Sequence, residues 1–402
     1  MILFGQPRRT VLVAWALMAS LNLSAGLIIA SWPERQSDLQ SVRRWGGKWL
    51  VEGLNVYGLE DEAPDYPPHA IMAVSPISLV PTGWLVPLWA ALNLGLALWA
   101  PYLAVRAVRP QVTGSEAWLP ILMFLSWGGF RALLQFTLLA LVFGLLAIVI
   151  ANRRPVLSGI CLGMSLMKPQ IAVPFFLWTV FTRRWRIVGI ALSIVLGGLA
   201  VYCLRASVNP ITFLRQYAEI LRTFYLGDAI MVGLAQLRPL LALATSNTAV
   251  ADAIAAAIAA LLLAAICVLG VAEGKRGALV MFSAPPLVGI WSLLTFYHLT
   301  YGFLLLLPTA TLLLFVNDPR TVTLRRRVFW ALQIGLMVDV PGVWRRVGPL
   351  LGAADTVSRA LMQADRVLML ALFACVAMLA VRNGMPMSQN GTGCVGHQTD
   401  FT

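Results

Sequence analysis

Charge is scarce in this chain of 402 residues: 12% of the residues are charged and 59% are hydrophobic. The mean hydropathy is +0.80. A soluble protein carries about 25% charged residues to cover its surface, so a soluble globular fold is excluded. Histidine is rarer still, with three residues (His69, His298, His397) too far apart to suggest a metal cage. The five cysteines (Cys161, Cys203, Cys267, Cys375, Cys394) are scattered and form no Cys-x-x-Cys. Neither a zinc site nor a disulfide framework is indicated. Strict apolar–polar alternation is absent too, which excludes a membrane barrel. The lack of an internal repeat counts against a transporter built from inverted halves.

Long apolar runs are present in abundance, many near the roughly 20 residues needed to cross a bilayer as helix. They predict an all-α polytopic membrane protein of about 12 transmembrane or re-entrant helices. The formal charge of +13 is spread as short arginine clusters between these runs. That pattern marks cytoplasmic flanks of membrane helices and not a nucleic-acid face. The first run has no A-x-A site closing it and is read as a retained helix over about 10–32, with Arg8 and Arg9 inside. Residues 33–66 then form an outer loop with seven acids against four bases. Within it, "LQSVRRWGGKWLVEGL" predicts a surface helix anchored by Trp45 and Trp49. "YPPHAIMAVSPISLVP" is too short and proline-rich for a clean span and reads as a broken segment. Helices are expected near 84–105, 117–130 and 132–151, then a short pair near 155–167 and 169–182. "RRWR" flags the inside again. Later helices fall near 187–204, 249–272, 278–295, 298–316, 328–344 and 366–382. The stretch 205–248 is amphipathic and assigned to the outer surface. Residues 1–382 form one membrane domain, and 383–402 a polar cytoplasmic tail.

Lysine is used three times against 27 arginines, and Lys168 falls in the middle of the apolar "GMSLMKPQIAVPFF". A cation at mid-helix in a bilayer costs at least about 2.5–3.5 kcal/mol, so it faces a cavity or a partner. The plain alternative is a lysine snorkelling from an ordinary turn. This topology places the tip at Lys168, the loop bearing Asp38 and the junction "TFYHLTYGF" with His298 on one face. A carboxylate can act as general base on a hydroxyl. A lysine suits a phosphate and stabilises it as a leaving group, and a neutral histidine can donate to that phosphate or orient the base. The set suits sugar transfer from a lipid phosphate. The acidic "EDEAPD" (60–65) reads as a solvated loop.

Four ordered stretches resemble the GT-C integral-membrane glycosyltransferases, specifically glycosyltransferase family 87. They are "SDLQSVRRWGGKWLVEGLNVYG", "YPPHAIMAVSPISLVP", "RRPVLSGICLGMSLMKPQIAVPFFLWTVFTRRWR" with its Lys-Pro-Gln, and "FYHLTYGFLLLLP". The resemblance implies a GT-C-type helical bundle with an outer-face catalytic loop and an inverting, metal-free transfer without a cofactor. It implies Asp38 as catalytic base with Lys168 and His298 near the donor phosphate. Arg131 is a further candidate there, and Tyr57, Tyr66, Gln135, Gln170 and Tyr301 are candidates for the substrate pocket. Where the family often has Gly-Gln, this chain has Leu134-Gln135. The expected function is transfer of mannose, or next arabinofuranose, from a polyprenyl-phosphate donor to an envelope glycan or glycolipid hydroxyl. The expected setting is the outer, periplasmic face of a bacterial inner membrane. The expected partners are the donor, the acceptor and the bilayer, without nucleic acid. The alternative is a transporter or flippase of a lipid-linked sugar, which would use the lysine but not the aspartate.

Overall fold

The structure is a computed structural model that describes residues 9–31, 37–59, 63–108, 114–127, 135–226, 237–241, 244–245, 247–275, 284–295, 300–315, 322–338 and 363–384. The described residues are helical, with no strand among them. The tail beyond 384 lies outside them. Helix α1 is Arg9–Ser31, followed by the amphipathic α2, Ser37–Leu50, and a 3-10 turn at Val56–Gly58. The proline-rich segment is indeed broken, into α3 (Pro68–Val74) and a 3-10 stretch (Ser75–Leu79). Next come α4 (Thr82–Val108), α5 (Gly114–Ser126), α6 (Thr137–Ile150), α7 (Pro155–Ser165), α8 (Pro169–Phe181) and α9 (Trp185–Arg205). The amphipathic α10 is Pro210–Leu226 and α11 is the single turn Arg238–Leu241. The remaining helices are α12 (Thr248–Lys275), α13 (Ala284–Thr295), α14 (Leu307–Phe315, after a 3-10 stretch Thr300–Leu306), α15 (Val322–Val338) and α16 (Ala364–Gly384).

Among the described residues three helices are long and apolar enough to cross a membrane, at Thr82–Val108, Trp185–Arg205 and Thr248–Val271; the apolar stretches of the others run to 10–17 residues. The distinction comes from sequence punctuation. Pro155 and Pro169 each start a helix where their missing N–H is harmless. These starts leave α7 and α8 with 11 and 13 residues, about 16 and 20 Å of rise. Neither spans about 30 Å of hydrocarbon, so the Lys168 junction between them sits within the thickness of the protein.

Helix α6 is the centre of the bundle. Leu138, Leu141, Leu145 and Ile148 are buried, as are Ala140 and Ala147, so the helix is apolar all round. It packs on α4, α7 and α8, while α7 packs on α9. Hydrophobicity does not drive helices together inside lipid, so close fit and hydrogen bonds must do so. Helix α7 shows both. Ser158 and Ser165 donate to the carbonyls of Ala147 and Ala140 on α6, each at 2.7 Å. On its other side, a Cβ at Gly159 or Gly163 would lie 2.6 Å from Ile190 or 2.7 Å from Ile194 on α9. The glycines let the two backbones meet in a parallel register.

One boundary differs from the sequence reading. The sequence places this helix near 328–344, but α15 already begins at Val322. Arg325, Phe329, Leu332 and Gln333 are buried, an i, i+4, i+7, i+8 stripe that makes the arginine part of a packed helix face. Arg325 donates to the Leu313 carbonyl at 3.3 Å, and Gln333 accepts from the Trp127 indole at 2.6 Å.

Candidate functional site

Lys168 is the hub. It is the residue before α8 and only 4% exposed. Its ammonium donates to the Thr137 hydroxyl at 2.9 Å and lies 5.8 Å from the Tyr66 ring centroid. Thr137 is fully buried at the start of α6. The lysine therefore joins the helix break to the central helix. The N-terminal end of α8 adds a positive dipole next to the ammonium, so both features favour an anion at this point.

Tyr66 is held by aromatic neighbours. Its ring lies edge-on to Phe136 at 5.8 Å and 6.3 Å from Trp45 of α2; Phe136 in turn lies 4.6 Å from Trp89 of α4. Its carbonyl accepts a 2.5 Å hydrogen bond from the Tyr57 hydroxyl. Tyr57 is 3% exposed and sits edge-on to Tyr202, Phe213 and Tyr217 at 5.3, 4.8 and 5.5 Å. Burial, followed by the neighbouring Tyr217, Tyr202 and Asp65, pushes the Tyr57 hydroxyl well above its ordinary value. It stays a neutral donor. Polar ties complete this cluster: Tyr202 donates to Asn55 at 3.2 Å, Asn55 to Gln216 at 2.9 Å, and Tyr217 to the Asp65 carbonyl at 3.2 Å. Helices α9 and α10 thus clamp the loop that delivers Tyr66.

Two further supports hold α8 and α2 in place. The Ser292 hydroxyl on α13 donates to the Gln170 carbonyl at 2.6 Å. On α2, the buried Leu39, Val42, Gly46 and Trp49 repeat at i, i+3, i+7, i+10 and turn one face to the core. Gly46 is needed there, because a Cβ would come 2.8 Å from the Ser75 Cα. At the end of α2, the Arg205 guanidinium reaches the carbonyls of Leu50 and Val51 at 2.9 and 3.3 Å.

A family model for Glycosyltransferase family 87 matches residues 65–284, over half of the chain and including Tyr66, Thr137 and the whole α6–α9 block. The chain belongs to glycosyltransferase family 87. It is therefore a GT-C-type membrane glycosyltransferase and a transferase enzyme, and a multi-pass membrane protein. No curated protein and no solved structure gives a significant match to the chain.

Of the residues singled out in the sequence, the structure brings Lys168 and Tyr66 together and places Tyr57 directly behind Tyr66. Gln135 is buried just before Phe136, and Gln170 is half-buried in the first turn of α8. Asp38 is the second residue of α2. Tyr301 falls in the 3-10 stretch before α14. Arg131 and His298 lie outside the described residues. Sequence reasoning missed Thr137, Tyr202 and the Asn55–Gln216 pair. Thr137 left one signal, a lone hydroxyl opening the apolar run that becomes α6. Among the described residues no His, Cys, Asp or Glu group could hold a metal.

Proposed function

We propose that this family 87 enzyme transfers a sugar from a polyprenyl-phosphate donor to the hydroxyl of an envelope glycan or glycolipid, with inversion at the anomeric carbon. Mannose is the first candidate sugar and arabinofuranose the second. The observation that carries the reading is the buried Lys168 ammonium at the positive end of α8, beneath the Tyr66 ring. A cation there repays its burial when a phosphate arrives.

In the proposed reaction Asp38 removes the acceptor proton as the acceptor oxygen attacks the anomeric carbon. The bond to the donor phosphate breaks with its electron pair, and polyprenyl phosphate leaves. Lys168 neutralises the charge that grows on that phosphate, helped by His298 and Arg131. Support for this grouping comes from both flanks. By helical register position 38 shares a stripe with Val42 and Trp45, and Trp45 abuts Tyr66. Ser292, six residues before His298, is bonded to the first turn of α8. Tyr66, Gln135, Gln170 and Tyr301 are proposed to shape the sugar pocket, with Tyr57 acting through Tyr66. The site opens on the outer face of a bacterial inner membrane.

The test is transfer from labelled polyprenyl-phosphate-mannose and polyprenyl-phosphate-arabinose by purified protein, with envelope extract as acceptor. Labelled product from the native enzyme and none from Asp38→Asn, which should still bind donor, is the expected result. Donor binding and movement across vesicles that survive Asp38→Asn, without any product, would overturn it.

A further inference from the structure

Helix α10 sits at a depth that its neighbours fix. Helix α9 is 21 residues long, about 31 Å of rise, which matches the roughly 30 Å of hydrocarbon in a bilayer. Its Arg205 end therefore lies at a membrane boundary. Tyr202, one turn short of that end, stacks on Trp49 at 5.8 Å and meets Tyr57 at 5.3 Å and Phe213 of α10 at 5.6 Å. Tryptophan and tyrosine gather at the headgroup level of a bilayer. The other end of α9 carries Trp185, 61% exposed, as a second such anchor. Through Phe213, α10 is tied to the headgroup level and not to the water beyond it.

At about 100° per residue, α10 divides into four sectors. Phe213, Tyr217 and Ile220 turn inward and pack on the Tyr57–Tyr202 cluster. Leu214, Ala218 and Leu221 follow along one flank; Leu214 is 52% exposed, and Ile211 beside it 63%. Glu219 and Thr223 mark the opposite flank, both exposed. Arg215 and Arg222 stand about two turns apart on the outward ridge between the flanks, and both are exposed. In water the leucine flank would have no partner. In the interface every sector has one: protein for the inner face, acyl chains for the leucines, water for the polar flank and phosphates for the arginines.

The charges select the lipid. From Arg205 to Leu226 there are three arginines against one glutamate. Arg205 is committed to the carbonyls of Leu50 and Val51. Arg222 has Glu219 at 3.9 Å, with side chains 72% and 69% exposed, a pairing of little strength in solvent. Arg215 makes no hydrogen bond or ion pair among the described residues. A guanidinium fork matches two phosphate oxygens at once. A zwitterionic headgroup brings its own cation to its phosphate, so an anionic headgroup gains most from these two arginines.

We propose that α10 is a docking site for anionic phospholipid, with its leucine flank among the acyl chains and headgroup phosphates at Arg215 and Arg222. Phe213 and Tyr217 of the same helix grip Tyr57, so the lipid steadies the loop that delivers Tyr66. The proposal stands apart from the donor and from the catalytic roles given above.

The probe is phosphatidylglycerol with a diazirine in its headgroup, and phosphatidylcholine labelled in the same way is the reference. Each is diluted into zwitterionic nanodiscs holding the purified enzyme without sugar donor, and adducts are mapped by mass spectrometry after photolysis. Adducts on residues 211–226 should be about tenfold or more abundant with phosphatidylglycerol. Arg215→Gln/Arg222→Gln should bring that ratio down to about one. Arg153→Gln/Arg186→Gln removes as much charge from exposed positions outside α10 and should leave the ratio unchanged. Equal labelling of the native helix by the two lipids would overturn the anionic preference. A ratio that survives loss of both arginines would assign the headgroup to other residues and overturn their role. Labelling of α10 by neither lipid would overturn the proposal altogether, by placing the helix in water and leaving its arginines to an acidic glycan.

Discussion

Replacing Lys168 by methionine separates a functional lysine from a structural one. Burying the ammonium costs about 2.5–3.5 kcal/mol at membrane depth. Against that stand a charged hydrogen bond to Thr137, about 1.5–3 kcal/mol, and the Tyr66 ring, about 0.5–2 kcal/mol. The two sides nearly cancel. Methionine keeps the length of the side chain and sheds the desolvation cost, so Lys168→Met should unfold within about 1 kcal/mol of the native protein. Turnover should behave quite differently. Loss of a positioned group that stabilises developing charge costs about 10²–10³ in kcat. Thermal unfolding in nanodiscs, followed by tryptophan fluorescence, gives the first quantity, and initial rates with labelled donor give the second. Native-like turnover in a stable Lys168→Met would refute the phosphate role. A collapse in stability would show instead that the lysine is a fastener between α6 and α8.

Three other perturbations probe the supports of the site. Thr137→Val removes the hydroxyl that holds the ammonium and should lower kcat/KM about tenfold, less than loss of the lysine itself. Tyr57→Phe deletes the bond to the Tyr66 carbonyl and should cost about 1 kcal/mol of stability, read as a lower unfolding midpoint. Folded Tyr57 keeps its proton where the unfolded chain loses it, since its ionisation is raised by burial. Its contribution is complete below about pH 10 and is lost as pH rises further, so Tyr57→Phe should flatten the alkaline decline in stability. Gly163→Ala puts a Cβ 2.7 Å from Ile194 and should cost about 1–3 kcal/mol by overpacking, with lower activity as α7 shifts. Unchanged stability in Gly163→Ala would disprove the close α7–α9 fit.

What could be read from the sequence was local. The apolar runs, the amphipathic α2 and the broken proline segment follow from periodicity and punctuation within a few neighbouring residues. The helix break at Lys168-Pro169 follows in the same way, because a lysine inside an apolar run and a proline beside it are visible without partners. Long-range pairing was not legible. Thr137 lies 31 residues from Lys168, and Tyr202 lies 145 residues from Tyr57, so no period connects them. The arginine run at 325–327 misled for a related reason. Charge suggests solvent, but Arg325 pairs with a carbonyl of the preceding helix, and only tertiary packing reveals that acceptor.

Helix α7 carries a consequence for how such an enzyme can diverge. Its place is fixed by two serine hydroxyls on one side and two glycine backbones on the other, contacts that tolerate almost no substitution. The lipid-facing surfaces of α4 and α12 carry no such constraint: Trp84, Leu88, Leu92, Leu261 and Val268 are exposed, and one apolar residue there serves about as well as another. Mutational drift is therefore channelled to the periphery, while the spacing between the lysine and the central helix is inherited as a unit.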